Sequence, residues 1–408
     1  MVKQTDMGMA EINPITCDVI IVGAGLVGLT AAIALTLQQK NVVLISSYKP
    51  LINQAVESNR SVWDERVYAL TPATESWLAS LGVWPNVDQT RVCNIDAMQV
   101  WGADSELLLK AEDANLAKLG LIVENKNLMA ALWQKVQALG VTVIADAECK
   151  YIEHKSANIE LQLENKSVKN VITIYAKLLI AADGIHSWVR QKLNIDVIEK
   201  NYQQTAIVAN FLAEKSHKHI ARQWFNPHET LALLPLPGDH VSMVWSLPTQ
   251  QASNLLTLAG NELSARVQMQ SDHLFGDLRL LGQVKSIELH QQTAKQYIAE
   301  RIVFIGDAAH QIHPMAGQGV NLGFRDVMKL VALSAQLKSM HDIGETGFLR
   351  QYERARKADV VSMNYLTSGL DYLFASEQKL LKKLTQFGLQ HLNRQAGIKR
   401  ILINQAVT

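Results

Sequence analysis

Residues whose types and spacing could do chemistry are concentrated in one stretch of the chain, residues 301–327. The apolar run Ile302–Ile305 predicts a buried strand, and Gly306-Asp307 follows where that strand should end. A glycine-rich loop comes next, and then a predicted helix from about Val320. The Asp307 carboxylate could accept hydrogen bonds from a polyol, glycines let the backbone approach a ring, and a helix N-terminus favours negative charge. The stretch therefore suits a large, flat, partly anionic cofactor.

A second pattern lies near the start of the chain. The predicted strand 17–22 is followed at once by G-x-G-x-x-G, a predicted helix 29–38 and a further predicted strand 42–45. In a βαβ unit these glycines permit a tight turn and close approach of a pyrophosphate. The glycine pattern therefore predicts a dinucleotide site, with an ordinary tight turn as the alternative.

The end of the second predicted strand departs from this pattern. An acidic residue that holds the ribose hydroxyls is expected about 20 residues after the glycines, whereas this chain has Ser46-Ser47. A serine can still bond to a ribose, but without the added strength of a charged acceptor. The dinucleotide is therefore predicted to be held loosely.

Two segments resemble a known family. The fourteen residues 313–326, H-P-M-A-G-Q-G-V-N-L-G-F-R-D, resemble the second flavin motif of the class A flavoprotein hydroxylases, in particular the ubiquinone-biosynthesis hydroxylases. Residues 182–190 resemble that family's Asp-Gly motif, A-D-G-x-x-S-x-V-R. Asp-Gly is also a common turn, and the first segment could be an ordinary strand–loop–helix connection.

Pattern and resemblance together predict an α/β fold. It comprises a Rossmann-like FAD-binding domain, an inserted β-sheet substrate domain and a C-terminal helical tail. The FAD-binding domain is assigned to residues 14–88, 119–190 and 292–345, the substrate domain to 89–118 and 191–291, and the tail to 346–408. Within the substrate domain, short apolar runs between residues 206 and 247 predict strands that could roof the flavin and decide which ring position reacts.

The resemblance implies a reaction as well as a fold. An electron donor, NAD(P)H, would reduce FAD, and O₂ would then give a flavin hydroperoxide that transfers one oxygen atom to an aromatic ring. The implied substrate is a polyprenylated phenol or benzoquinol. No second strand-flanked G-x-G-x-x-G occurs in the sequence, so the nicotinamide donor would bind without a Rossmann unit of its own.

Site residues follow from these motifs. Arg66, Pro314 and Gln318 are the predicted catalytic residues; related hydroxylases have an arginine beside the flavin at the position resembling Arg66, although a surface arginine is the alternative. Asn125 is predicted to cap a helix at 126–139 whose start lies near the flavin diphosphate, and capping alone would also explain it. No metal site is predicted. The predicted cofactor-binding residues are Gly23, Ala24, Gly25, Gly28, Ser46, Ser47, Arg66, Asn125, Asp183, Gly184, Asp307, Gly317, Gln318, Gly319, Val320 and Asn321.

Composition limits the other function classes. A net charge of +1 argues against a protein-wide nucleic-acid surface, and three isolated cysteines argue against a disulfide framework or a zinc site. The N-terminus lacks the apolar core of a signal peptide and no run is long enough to span a membrane, which favours a cytoplasmic protein, either soluble or on the inner membrane surface.

The tail differs from the rest of the chain in charge. Residues 378–408 contain no acidic residue and six lysines and arginines. A basic amphipathic helix is typical of peripheral membrane contact, and a helix that simply docks on the flavin domain is the alternative.

Two rival functions remain open: a hydroxylase of a small soluble phenol, and a mainly structural flavin-binding subunit. For the ubiquinone-pathway hydroxylase, other quinone-biosynthesis proteins are expected as further partners.

Overall fold

The strands predicted at 17–22, 42–45 and 302–305 form, and so do the helices predicted at 29–38, at 126–139 and from about Val320. The computed structural model describes residues 14–48, 63–102, 105–312, 319–337, 342–375 and 395–407. The strands are β1 (Ile15–Val22), β2 (Val42–Ile45), β3 (Val67–Leu70), β4 (Val92–Ile95), β5 (Ala97–Gly102), β6 (Ser105–Lys110), β7 (Gly120–Glu124), β8 (Thr142–Ile144), β9 (Ala147–His154), β10 (Ile159–Asn165), β11 (Val171–Ala181), β12 (Val197–Ala213), β13 (Ile220–Asn226), β14 (Glu229–Pro235), β15 (His240–Pro248), β16 (Leu278–Ala294), β17 (Ile298–Ala299), β18 (Ile302–Phe304) and β19 (His310–Gln311). The helices are α1 (Leu26–Leu37), α2 (Pro72–Ser80), α3 (Asn125–Ala138), α4 (Trp188–Lys192), α5 (Thr249–Leu256), α6 (Gly260–Gln270), α7 (Gly319–Ala335), α8 (Thr346–Ala375) and α9 (Ala396–Val407).

A largely parallel sheet forms the first half of the molecule. Its order is β17-β18-β11-β1-β2-β8, with the antiparallel strands β9 and β10 attached beside β11. The strands β18, β11, β1, β2 and β8 run parallel. Helix α1 packs against this sheet and is apolar and buried on nearly every side, which is typical of a helix enclosed between two layers.

A second sheet, of order β19-β16-β12-β15-β14-β13-β5-β6, forms the other half. The hairpin of β5 and β6 joins it through β13, so the hairpin pairs with strands that come more than 100 residues later in the chain. One face of the sheet buries a cluster that includes Phe211, Leu233, Trp224 and Trp245, against α5 and α6. A small antiparallel sheet of β3, β7 and β4 lies between the two halves.

Three predicted elements have different boundaries in the structure. The sequence of residues 251–275 predicts one helix, and the structure has two there, α5 and α6. A new start occurs there because the Glu262 carboxylate accepts a hydrogen bond from the backbone N–H of Ala259. The apolar pattern at 284–289 predicts a short strand, which in the structure is the middle of β16, a member of the second sheet. The sequence also predicts a hairpin at 149–174 and a separate strand at 178–182, whereas in the structure the last arm of the hairpin and that strand are one strand, β11.

The last described helix, α9, docks on the second half of the molecule. Ile403 is buried in a cluster with Ile95 and Ala111, and the Lys399 ammonium donates to the Leu108 carbonyl at 2.7 Å. This part of the tail therefore docks on the protein, but on residues assigned to the substrate domain and not on the flavin domain that the alternative named. Among the described helices, none combines the length and apolar character needed to cross a bilayer.

Candidate active site

Three predicted motifs converge at the carboxyl edge of the parallel sheet. In the registers, Val22 at the end of β1 lies beside Ala181 of β11, and Ala181 lies beside Phe304 of β18. Backbone hydrogen bonds continue the pairing past the strands, from Ala182 N to Val22 O at 2.8 Å and from Ile305 N to Ala181 O at 3.0 Å. Gly23, Asp183 and Gly306 therefore emerge side by side, at the edge where open α/β sheets bind ligands.

The first glycine motif forms a tight turn into α1. Gly23 has φ +109°, and a Cβ there would lie 2.2 Å from the Ala182 carbonyl oxygen; one on Gly28 would lie 2.0 Å from the Gly23 carbonyl oxygen. A Cβ on Gly25 would meet nothing within 4 Å, and no side chain caps the N-terminus of α1. The first and third glycines thus permit the turn, whereas Gly25 leaves free the approach to the helix N–H groups.

The two glycine-rich regions, far apart in sequence, meet at Val27. A Cβ on Gly323 of α7 would lie 2.6 Å from a methyl carbon of Val27, and one on Gly306 would lie 3.2 Å from the same methyl carbon. Close packing of α1 on α7 therefore brings the Gly306 turn and the first residues of α7 to the first glycine motif.

Asp307 lies in a crevice at this site. Its side chain is solvent-accessible, yet protein surrounds it closely, and this burial raises the pKa of the carboxyl, while the charges of His310 and Arg66 oppose the rise. Arg66 is itself exposed, and its guanidinium lies 5.4 Å from the ring centre of Tyr68. The site thus combines an acceptor carboxylate and a cation.

Asp183 has an oxygen without a partner. Its Oδ2 accepts from the backbone N–H of Val189 at 3.2 Å, whereas its Oδ1 is buried and has no hydrogen-bond partner. Burial raises the pKa of this carboxyl. The following Arg190 donates to the Ala308 carbonyl at 2.8 Å, so the Asp-Gly loop is fixed against the turn that carries Asp307. An unpaired buried oxygen beside the glycine turn is available to a ligand.

The segment before Arg66 is held by carboxylates that sequence reasoning missed. The predicted N-cap is wrong by one residue: α3 begins at Asn125 and its N-cap is Glu124. The backbone N–H of Lys126, at the start of α3, donates instead to Asp64 Oδ2 at 3.0 Å. Sequence reasoning missed this contact because Asp64 lies 62 residues away and comes close only in the folded chain. Glu124 in turn accepts from Asp64 N at 2.5 Å and from Arg91 Nη2 at 2.7 Å.

At the start of α7, Asn321 has a structural role. Its buried amide donates to the Ala69 carbonyl at 2.8 Å and accepts from Thr71 N at 3.2 Å and Thr74 Oγ1 at 2.9 Å. These contacts tie α7 to the end of β3 and the start of α2, and leave only the backbone of Asn321 for a cofactor. Gly319 is exposed and Val320 half-buried beside it. The predicted residues Pro314, Gly317 and Gln318 lie outside the described residues.

The two serines after β2 differ. Ser46 is fully buried, and its hydroxyl donates to the Tyr48 carbonyl at 2.7 Å. Ser47 is exposed. Their contact with a ribose stays a prediction.

Beneath the site lies a buried charged cluster. Asp326 Oδ2 accepts from Gly306 N at 2.8 Å and faces His310 Nε2 at 2.7 Å, and Oδ1 accepts from Arg356 Nε at 2.5 Å. Burial alone would raise the pKa of Asp326, but the charges and hydrogen bonds of His310 and Arg356 lower it. The sequence motif included Asp326, but its partner Arg356 lies 30 residues further along the chain. The hydrogen-bond partner of the His310 imidazole is therefore a buried side-chain carboxylate, that of Asp326.

These features fit FAD. Gly25 opens the helix N-terminus to a diphosphate, Asp183 has an unpaired buried oxygen, and Asp307 offers an accessible acceptor for hydroxyl groups.

Comparisons with known proteins decide the family. The model of the FAD binding domain family matches residues 16–364. The ubiquinone hydroxylase UbiL of Rhodospirillum rubrum is 31% identical over 96% of this chain and 89% of its own length. The 3-demethoxyubiquinol 3-hydroxylase of Escherichia coli is 30% identical over 96% of this chain and 98% of its own. The human mitochondrial ubiquinone biosynthesis monooxygenase COQ6 is 30% identical, over 94% and 90%.

This chain belongs to the class A flavin hydroxylases of ubiquinone biosynthesis.

Solved structures agree with the fold of this family. The p-nitrophenol 4-monooxygenase PnpA of Pseudomonas putida superposes with a TM-score of 0.77 at 16% identity, covering 96% of this chain and 98% of that one. A variant of HpxO from Klebsiella pneumoniae complexed with FAD has a TM-score of 0.71 at 17% identity, over 95% and 97%. At such identities the likeness shows the fold alone. Membership and fold together establish the chain as an FAD-binding monooxygenase of mixed α/β architecture.

Proposed function

We propose that this protein hydroxylates the aromatic ring of a polyprenylated phenol or benzoquinol in ubiquinone biosynthesis, using O₂ and NAD(P)H. The observation that carries the proposal is the full-length similarity to hydroxylases named for that pathway. The overall reaction places one oxygen atom of O₂ on the ring and releases the other as water, while the nicotinamide supplies two electrons.

FAD, when bound, supplies the oxygen-activating redox chemistry. The residues of the chain would hold and orient it. The glycine turn Gly23–Gly28 with Ala24 would face the diphosphate, and Asp307 would accept from hydroxyls of the linker. The backbone of Val320 and Asn321 would meet the flavin ring edge, and Arg66 would lie beside the ring. Asp183 and Gly184 would complete this side of the site.

The second sheet would cover the reacting ring and exclude water from it. Support comes from Asn210 of β12, whose amide donates to the Asp64 carbonyl at 3.1 Å, two residues before Arg66. The sheet face that carries Asn210 therefore meets the segment that positions the candidate flavin arginine. Exclusion of water matters because it suppresses loss of activated oxygen as H₂O₂.

The test uses the full chain loaded with FAD, NADH or NADPH, and 2-geranylphenol in detergent as a short-chain probe. With isotopically labelled O₂, mass spectrometry should find one labelled oxygen atom in the ring. Nicotinamide oxidation that yields only H₂O₂ would contradict the proposal. A faster, coupled reaction with unprenylated phenol would favour the soluble-phenol alternative. Unchanged quinone synthesis in a host whose copy of the protein is a variant that titration shows to hold no FAD would favour a structural subunit.

We also infer peripheral contact with an anionic membrane through the tail. Six basic residues and no acidic ones lie in 378–408, and Ile401 of α9 is 60% exposed. Basic and apolar groups on one segment bind anionic lipid by charge and burial together.

The test replaces Lys379, Lys382 and Lys383 by glutamine. Cosedimentation with vesicles containing one third phosphatidylglycerol should fall several-fold at low salt. The control removes the same charge from another surface, at Lys150, Lys155 and Lys169. Equal binding by both variants would contradict the tail's role.

A further inference from the structure

Asn210 and Ser242 of the second sheet are among the buried side chains whose hydrogen-bonding atoms nothing in the described protein satisfies, and they are direct neighbours. Asn210 of β12 is 1% exposed and Ser242 of β15 is 0% exposed. Asn210 Oδ1 and Ser242 Oγ have no hydrogen-bond partner. The two residues are direct partners in the β12–β15 register, so their side chains project side by side from the same face. Buried polar groups are normally paired, so two neighbouring exceptions call for an explanation.

The face that carries them is not the one packed on the helices. Phe211, Val241 and Met243, which alternate with them along β12 and β15, belong to the core shared with α5 and α6. Asn210 and Ser242 therefore point to the opposite side of the sheet, toward the segment that leads to Arg66.

Apolar side chains surround the pair on that face. Val208 and Val244 form the next cross-strand pair, and Leu234 of β14 lies beside Ser242. Leu234, Val244 and Ala232 are only half-buried although they lie on inner strands of the sheet. A polar pair within a half-open apolar surface is the usual composition of a small-molecule site.

The chemistry of the contact with Asp64 fixes which amide atom is free. A backbone carbonyl oxygen only accepts hydrogen bonds, so the atom that faces Asp64 O at 3.1 Å must be the Asn210 amide nitrogen. The free atom is therefore the carbonyl oxygen of Asn210, an acceptor. The Ser242 hydroxyl beside it can donate. The pair thus offers one acceptor and one donor.

We infer that Asn210 and Ser242 bind a hydroxyl group on the aromatic ring of the substrate. The ring hydroxyl donates to Asn210 Oδ1 and accepts from the Ser242 hydroxyl. A quinone carbonyl has no proton for Asn210, so the pair selects the phenol or quinol over the quinone. This assignment rests on the proposed function, because it takes the sheet face to be the substrate side.

The test compares two probes that differ only in the oxygen, 2-geranylphenol and geranylbenzene, by calorimetric titration of the FAD-loaded protein in detergent. Each neutral hydrogen bond is worth on the order of tenfold in affinity. The wild-type protein should bind the phenol about 100-fold more tightly, and Ser242→Ala should reduce that ratio to about tenfold. Asn210→Leu should also reduce the ratio of the two affinities. As a second readout, this variant should bind geranylbenzene as tightly as the wild-type protein does, or more tightly.

The matched control is Ser334→Ala. Ser334 of α7 is also buried and its hydroxyl also lacks a partner, but it lies outside the sheet. This variant should keep the wild-type ratio. The inference is overturned if the wild-type protein binds the phenol and geranylbenzene about equally. It is also overturned if Ser242→Ala keeps the wild-type ratio of the two affinities.

Failure of the proposed function looks different. A wild-type protein that discriminates between the probes but places no oxygen in the ring contradicts the hydroxylation and leaves the subsite standing. One that hydroxylates 2-geranylphenol while Ser242→Ala retains full discrimination contradicts the subsite alone.

Discussion

Two buried polar clusters in this protein use their hydrogen bonds in opposite ways. Beneath the glycine turns, both oxygens of Asp326 are engaged, by Gly306, His310 and Arg356. Across the site, Asn210 and Ser242 keep an acceptor and a hydroxyl without partners. A fully satisfied cluster stabilises the framework, because breaking it leaves buried charge behind. Unsatisfied groups cost stability in the free protein, and are explained when a ligand completes them.

The largest expected effect is at the satisfied cluster. Asp326→Ala leaves Arg356 and His310 buried without their carboxylate, and should lower the free energy of unfolding by about 3–5 kcal/mol. Urea unfolding followed by circular dichroism measures the loss. The control is Asp196→Ala, which removes an exposed partner of Lys295 and should change little. Equal losses of stability in both variants would show that the Asp326 cluster stabilises the fold no more than an exposed ion pair does.

The glycine turn separates fold from cofactor in a second pair of variants. Gly28→Ala forces a Cβ against the Gly23 carbonyl oxygen and should cost about 1–3 kcal/mol of stability. Gly25→Ala meets no protein atom within 4 Å, so it should cost less than about 1 kcal/mol. Its added methyl group would obstruct a diphosphate and weaken FAD binding, on the order of tenfold or more. Thermal unfolding and titration of FAD fluorescence measure the two effects; normal FAD affinity in Gly25→Ala would argue against a diphosphate there.

A pH dependence of FAD binding tests the crevice carboxylate. Burial raises the pKa of Asp307 above its ordinary 3.8. The ionised carboxylate is the better acceptor for hydroxyls, so FAD affinity should be constant at higher pH and fall as pH drops through that raised pKa. Asp326 has a lowered pKa and stays ionised over this window, so the framework persists. Equilibrium dialysis of FAD between pH 4 and 8 (about the range in which most proteins stay folded) measures it. Asp307→Asn should bind more weakly and flatten the profile; an unchanged slope would assign it to another group.

The smallest effect is expected at the unsatisfied cluster. Removing the Ser242 hydroxyl breaks no hydrogen bond and relieves the desolvation cost of an unpaired buried group, so Ser242→Ala should leave the free energy of unfolding unchanged or raise it by up to about 1 kcal/mol. Ser187→Ala is the matched case: its hydroxyl caps α4 through Arg190 N at 3.1 Å, and its loss should cost about 1 kcal/mol. Chemical unfolding of both variants under one condition compares them. A loss at Ser242 as large as at Ser187 would indicate a structural partner.

Part of the site was determined by the sequence itself. Gly23 has a positive φ, and Gly28 lies close to the Gly23 carbonyl oxygen. Only glycine adopts either arrangement without strain, so the glycine spacing predicts the turn. Apolar runs before Gly23, Asp183 and Asp307 indicated the strands that end there. The order of strand, loop and helix is local, so motifs of nine to fourteen residues carried both the fold and the family.

The tertiary structure decided which side chains share a space. In sequence, Asn210 and Ser242 are isolated polar residues in alternating strands, and only the register of β12 against β15 makes them neighbours. Trp224 and Trp245 belong to the same sheet, but the helices α5 and α6 cover their face. Asp64 replaced Asn125 as the helix cap, and Arg356 became the partner of Asp326, across chain separations of 62 and 30 residues. Residue types largely determine the local conformation of the chain, whereas long-range pairing depends on which faces the packing brings together.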